Sequence, residues 1–153
     1  MTTPQKISLA LLRVSIGWYF FWAGFTKVLD HTWSAEGFLL HATMFPGFYT
    51  LFTSPTILPT INVLNSWGLL LIGVALVVGV TVRLSAFFGV LLMFLYYFPH
   101  ENMHSFIVDD HIIIILGLCI SALFDSGNAF GLKYWFLQIP FVNQSPLMKK
   151  LVD

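Results

Sequence analysis

Basic residues are sorted by side along this chain, and the sorting fixes both its class and its threading. Apolar segments at residues 7–29, 61–82, 84–98 and 107–124 punctuate the sequence, and such stretches match the ~20 apolar residues a helix needs to cross hydrocarbon. If each crosses once, Lys6, Arg13, Arg83, Lys133, Lys149 and Lys150 all fall on the N-terminal side, and Lys27 is the one cation left on the other. That other side holds all five His together with Asp30, Glu36, Glu101, Asp109 and Asp110. Positive charge is retained in the cytoplasm. The pattern therefore predicts an all-α transmembrane four-helix bundle with both termini cytoplasmic, in the plasma (inner) membrane of a prokaryote. The third segment is short and must tilt or thin the bilayer.

Composition excludes the main alternatives. The 153 residues are 58% hydrophobic and only 9% charged, whereas a soluble domain carries charge at roughly a quarter of its positions. Zero net charge and the lack of a basic stripe leave no footprint for nucleic acid. The first segment follows Lys6 as a secretory signal would, but Asp30-His31-Thr32-Trp33 behind it offers no small-residue cleavage site. It is expected to stay in the mature protein. Cys119, the one cysteine, has no internal disulfide partner and reads as a small packing residue.

Two domains of unequal weight are expected: a four-helix membrane domain over 1–128, and a C-terminal cytoplasmic interfacial segment over 129–153. Between the first two spans, residues 30–60 are broken by Pro46, Gly47, Pro55 and Pro59 yet rich in Phe, Leu and Tyr. Backbone this irregular cannot face lipid tails, so it lies at the outer interface or caps the bundle. A tight turn around 81–83 makes spans two and three antiparallel neighbours. Ser126-Gly127-Asn128 ends the fourth helix, and the lysines beyond it are drawn to anionic lipid.

Helices in lipid associate through small and polar residues. Each span has such a stripe: Arg13, Gly17, Phe20, Gly24, Lys27 in the first; Asn65, Gly68, Ile72, Ala75, Gly79 in the second; Ser85, Gly89, Leu92, Tyr96 in the third; Asp110, Ile114, Gly117, Ser121, Phe124 in the fourth. Depth counting brings Lys27, Asn65, Tyr96 and Asp110 to one level within about a turn, ~5.4 Å. Lys27 and Asp110 are the expected ion pair there. At the inner end, Arg13 is too deep for a surface charge, and Asp125, Ser121 or Ser85 are the groups expected to satisfy it. Both clusters read equally as glue that holds helices in register.

His100-Glu101-Asn102-Met103-His104 has the H-E-x-x-H spacing that binds zinc when it lies on a helix. Here it follows Pro99 in a short link, and no further ligand set completes a protease site. Metal is not the expected cofactor; binding through His100 and His104, with Asp109, Asp110 or His111 as a third ligand, is the minority reading. Asp109 and Asp110 suit the N-terminus of the fourth helix. His111 follows them, and its charged form is favoured by acidic neighbours.

Leu11-Leu12-Arg13-Val14-Ser15-Ile16-Gly17, Trp22-Ala23-Gly24-Phe25-Thr26-Lys27, Trp67-Gly68-Leu69-Leu70-Leu71-Ile72-Gly73 and Arg83-Leu84-Ser85-Ala86 resemble the DoxX family of small four-helix membrane proteins. Val108-Asp109-Asp110-His111-Ile112-Ile113 and Phe130-Gly131-Leu132 extend the likeness. One departure is Trp67-Gly68, where many members carry an acid. The resemblance implies links to quinol oxidase and thiosulfate:quinone oxidoreductase complexes. It implies a small subunit of a respiratory or redox complex, with quinone as the cofactor and Lys27, Asn65, Tyr96, Asp109, Asp110 and His111 as its polar core. No haem or flavin is expected, because no pair of His faces across mid-membrane; electrons come from redox protein subunits, with a homo-oligomer as a further partner. A non-enzymatic scaffold or assembly protein, and a small transporter or metal-handling protein, stay open beside it.

Overall fold

The computed structural model describes residues 1–99 and 108–139, and every regular element among them is helical. In chain order these are α1 (Thr3–Leu29), α2 (Glu36–Leu40), α3 (Pro46–Thr50), α4 (Leu58–Val78), α5 (Val82–Tyr97), α6 (Asp110–Leu123) and α7 (Lys133–Leu137). Short 3-10 turns follow α3 at Leu51–Thr53 and α6 at Ser126–Asn128. At 1.5 Å per residue, α1 and α4 are ~40 and ~32 Å long, enough to cross hydrocarbon of ~30 Å. The apolar helices α5 and α6 are shorter, ~24 and ~21 Å. His100, Glu101 and His104, and Lys149 and Lys150, lie outside the described residues.

Helix α1 packs mainly along α4 and α5 along α6, while α4–α5 and α1–α6 contacts close the ring. The α1–α4 seam is made by absent side chains. A Cβ on Gly24 would collide with the backbone of Leu70, one on Gly73 with the backbone of Phe21, and one on Gly17 would come within 2.8 Å of Val77 N. The two backbones therefore approach closely wherever one of these glycines meets the neighbouring helix. Phe20, Leu69, Leu76, Met93 and Leu118 fill the centre behind them. Outward, Leu11, Trp18, Trp22, Leu71, Phe87, Leu91, Ile113 and Leu116 are exposed on four helices, an apolar surface far larger than a water-soluble monomer tolerates.

The expected α1 stripe agrees with the buried set Arg13, Ile16, Gly17, Phe20 and Gly24. In α4 the buried face is instead Ser66, Leu69, Ile72, Gly73 and Leu76, and Gly68 has open space around it. The helix is apolar on all sides, so small residues on the wrong face gave the misreading. Asp110 and Phe124 in the fourth stripe are exposed, whereas His111 and Leu118 are buried.

The turn between α4 and α5 runs through Gly79 (φ 75°) and Thr81 (φ 54°), slightly earlier than the sequence suggests. Both are left-handed, a conformation that glycine adopts freely and a β-branched residue does not. Residues 126–133 fold back onto this turn, with Leu132 N–H donating to Val78 O at 3.0 Å. At the opposite end, residues 30–57 form a cap with its own cluster of Ala35, Leu39, Ala42 and Tyr49. The Tyr49 hydroxyl donates to Leu95 O at 2.9 Å, satisfying a carbonyl in the last turn of α5. Burial raises the pKa of that hydroxyl above the usual tyrosine value.

Candidate functional site

At the capped end, the last turn of α1 delivers Lys27 to a cavity of about 280 Å³ that it lines with Trp33, Phe38, Asn65, Tyr96 and His111. The local sequence explains how Trp33 gets there. Asp30 Oδ1 accepts from the Thr32 N–H at 2.9 Å and from the Thr32 hydroxyl at 2.6 Å, a side-chain turn that reverses the chain directly after the helix. Those hydrogen bonds hold the Asp30 carboxyl below the usual carboxylate range. Asn62 then pins the returning strand of chain to α4, accepting from Ala35 N–H at 2.9 Å and donating to Ser34 Oγ at 3.3 Å.

Lys27 Nζ donates to Asn65 Oδ1 at 3.2 Å. It also lies 4.7 Å from the centre of the Trp33 ring and 5.5 Å from that of Tyr96, both within the ~6 Å reach of a cation–π contact. Asn65 Nδ2 in turn donates to the Tyr96 hydroxyl. Tyr96 is packed edge-on by Phe38 at 5.4 Å and by His111 at 6.4 Å between ring centres. Three helices thus contribute Lys27, Asn65 and Tyr96 to one hydrogen-bonded line, with α6 adding the imidazole.

The expected Lys27–Asp110 pair does not form. Asp110 is exposed, its side chain 66% accessible, and its carboxylate lies 3.2 Å from His111 Nδ1. One residue of helix rotation, ~100°, separates a position facing the bundle from one facing out, and that rotation puts His111 inward. Among the described residues no carboxylate comes within ion-pairing distance of Lys27.

Asp109 is the N-cap of α6: Oδ1 accepts from Ile112 N–H at 3.1 Å, and Oδ2 lies 2.8 Å from His111 Nδ1. Burial opposes ionisation of Asp109, but the bonds from His111 and Ile112 and the nearby imidazole outweigh it, and its carboxyl titrates below the usual range. His111 therefore joins the cavity on one side to the partly exposed Asp109 on the other. Asp109, Asp110 and His111 have ligand atoms within 4.8 Å of one another; His100 and His104, the other half of the metal reading, lie outside the described residues.

The Arg13 end is built differently. Arg13 is 1% exposed, and its guanidinium donates to Ser126 O and to Ala129 O, the latter at 3.3 Å. Neither Asp125, Ser121 nor Ser85 takes the role expected of it. Asp125 pairs with Lys133 Nζ at 3.2 Å instead. Lys133 is consequently buried, so it is not one of the lysines offered to anionic lipid. The fold-back of residues 126–133 produces both differences, and no helical periodicity announces it.

Trp33 and Phe38 are site residues that motif reading missed. The signal available was that both are large aromatics beyond the end of a span; the placement of Trp33 over Lys27 and of Phe38 against Tyr96 follows the Asp30–Thr32 turn.

A family model for DoxX matches residues 8–101. The match runs from the first turns of α1 past the end of α5, so it includes Arg13, Lys27, Asn65 and Tyr96 and stops short of Asp109 and His111. No curated protein and no solved structure matches the chain. With well over half of its length matched, and with the exposed apolar helices described above, this membrane protein belongs to the DoxX family.

Proposed function

We propose that this chain is a small subunit of a redox complex in a prokaryotic plasma membrane, and that the Lys27 cavity holds a quinone headgroup. The observation that carries the reading is an ammonium that meets no carboxylate among the described residues and faces a cavity walled by the π faces of Trp33 and Tyr96. Placing a charge at depth in hydrocarbon costs several kcal/mol, about 2.5 or more, so a cation that meets an amide oxygen and two rings among the described residues is poised for a further acceptor. A carbonyl oxygen on a flat ring meets that need. The cavity, about 280 Å³, is at the small end of the ~300–1,000 Å³ usual for ligand sites.

Lys27 would donate to a carbonyl oxygen, and Trp33 and Tyr96 would hold the ring plane. His111 would pass protons between the cavity and Asp109, whose ionised carboxylate keeps the imidazole oriented. A bound quinone would supply the redox chemistry, taking an electron pair from a partner subunit and one proton at each carbonyl oxygen. The family's links to quinone-dependent complexes support this reading. The capped end is then the outer face, the chain crosses four times, and both termini and residues 129–153 lie on the cytoplasmic side, as the charge sorting requires.

Extraction in mild detergent followed by organic extraction and chromatography tests the proposal. Copurified quinone that is lost in Lys27→Ala and in His111→Ala supports it; protein folded as before but without quinone in the unsubstituted chain removes it. A scaffold role is the second reading, favoured by the backbone-to-backbone contacts at Gly24 and Gly73, which make a rigid bundle with or without a ligand.

A further inference from the structure

Between α4 and α5 lies a second, larger space of about 600 Å³. Its rim is made of exposed Leu64, Leu71, Phe88 and Leu91, so it opens on the apolar surface of the molecule. Its floor includes Gly68 and Ala75. Gly68 differs in kind from Gly24 and Gly73, whose missing side chains are filled by a neighbour's backbone. No atom lies within 4 Å of where its Cβ would stand. Helices that needed only to pack would have closed this gap.

The groove does not end blindly. A cavity of about 190 Å³ adjoins it, sharing Leu92 and Leu95 with the groove, and Phe38, Asn65 and Tyr96 with the Lys27 pocket. From Asn65 to Ala75 the run follows α4 for ~15 Å at 1.5 Å per residue. Its polarity falls along the way: Lys27, Asn65, Tyr96 and His111 at the capped end, then mainly leucine, glycine, alanine and phenylalanine, with the hydroxyls of Thr81 and Ser85 at the far end. A long, narrow space with charged and amide donors at one end and mostly hydrocarbon walls along the rest fits an amphiphile with a compact polar ring and a linear apolar tail.

We propose that the α4–α5 groove holds the apolar tail of the molecule whose ring occupies the Lys27 pocket, so that a long-chain quinone enters sideways from the bilayer between α4 and α5. This assignment rests on the quinone reading of the pocket. In a bilayer the tail gains little by exchanging one hydrocarbon surrounding for another. The groove therefore acts by aim, steering the ring under the Trp33–Phe38 cap, and a group that blocks it expels the tail and tilts the ring away from Lys27.

The test is binding to the purified full-length chain of two probes with one headgroup, a tail-less dimethoxy-methyl benzoquinone and its decyl derivative, followed by tryptophan quenching. Gly68→Phe fills the groove from its floor, and Ala75→Phe does so further along α4; thermal melting identifies whichever variant stays folded. The expected result is a loss of roughly ten-fold or more for the decyl probe, a factor equal to about 1.4 kcal/mol, with the tail-less probe bound as before. Equal binding of the decyl probe by a folded blocked variant and the unsubstituted chain overturns the tail assignment and leaves the ring site standing; the groove then holds bilayer lipid only. An equal loss of both probes also overturns it, because the blocked groove would be acting on the ring site and not on the tail. Failure of the tail-less probe to bind the unsubstituted chain overturns the ring site itself, and the tail assignment with it.

Discussion

Lys27 Nζ lies 3.2 Å from Asn65 Oδ1, and this bond ties the end of α1 to the first half of α4 with no counter-charge among the described residues. The amide is held for the purpose, since its nitrogen is committed to the Tyr96 hydroxyl. An ammonium so arranged has hydrogens to spare. Its removal should be felt by a ligand more than by the fold.

Lys27→Met keeps the four-atom stem and its packing but deletes the terminal ammonium, and with it the donor and the charge. A hydrogen bond to a charged group contributes about 1.5–3 kcal/mol, so affinity for the tail-less quinone should fall roughly 10- to 100-fold. Equilibrium quenching titration measures it. Unchanged affinity would take Lys27 out of the site.

Tyr96→Phe leaves the Asn65 Nδ2 donor without its acceptor inside the bundle. The cost of such an orphaned group is about 1–3 kcal/mol, and the variant should melt several degrees lower in detergent. Asn65→Leu removes that donor but also the acceptor of Lys27, so the double variant should be less stable than Tyr96→Phe yet lose less than the two single losses added together. A double-mutant cycle with no coupling would show that the two residues do not share a bond.

Arg13→Lys should weaken the other end. Arg13 Nη1 donates to both Ser126 O and Ala129 O, and the shorter lysine side chain does not carry its ammonium to that position; about 2 kcal/mol or more of stability is expected to go with the lost charged hydrogen bonds. Residues 126–139 should become accessible to limited proteolysis before the rest of the chain. Cleavage no faster than in the unsubstituted protein would contradict the anchoring role.

The glycines give a paired test. Gly73→Ala drives a methyl into the backbone of Phe21, whereas Gly68→Ala meets nothing within 4 Å. Overpacking costs about 1–3 kcal/mol and more where backbone must move; the Gly68 change should stay within about 0.5 kcal/mol of neutral. Thermal melts of the two variants should separate clearly, and equal melts would refute the α1–α4 crossing.

The Asp109 cap carries a pH signature. Its carboxyl titrates lower in the folded chain than its ordinary value near 3.8, so ionised Asp109 stabilises the fold fully above that value, and the contribution is lost as pH falls through the lower folded value. Asp109→Asn should be less stable than the unsubstituted chain at neutral pH, with the gap closing below about pH 3.8. A gap that persists into strong acid would mean that the amide fails for another reason.

How much of this was readable beforehand follows from what a linear pattern encodes. Spacing along α1 announced Arg13, Gly17, Phe20 and Gly24 as its buried face, because small and charged residues are rare in a helix bathed in lipid and their period is visible. Depth counting likewise brought Lys27, Asn65 and Tyr96 to one level, since rise per residue is fixed. Rotation about each axis is not encoded in that way where a helix is apolar all round. Hence Gly68 stood in for Gly73 on α4, and Asp110 for His111 on α6.

An apolar, all-helical membrane protein of the DoxX family could be read from the amino-acid order. Tertiary structure alone decided that Lys27 would meet an amide and two rings in place of a carboxylate, that Arg13 would rest on backbone carbonyls, and that Lys133 would be buried against Asp125. The reason is physical: hydrophobic period and helix rise are local properties of the chain, whereas the Asp30–Thr32 reversal and the fold-back onto Gly79 join residues through contacts that no period records.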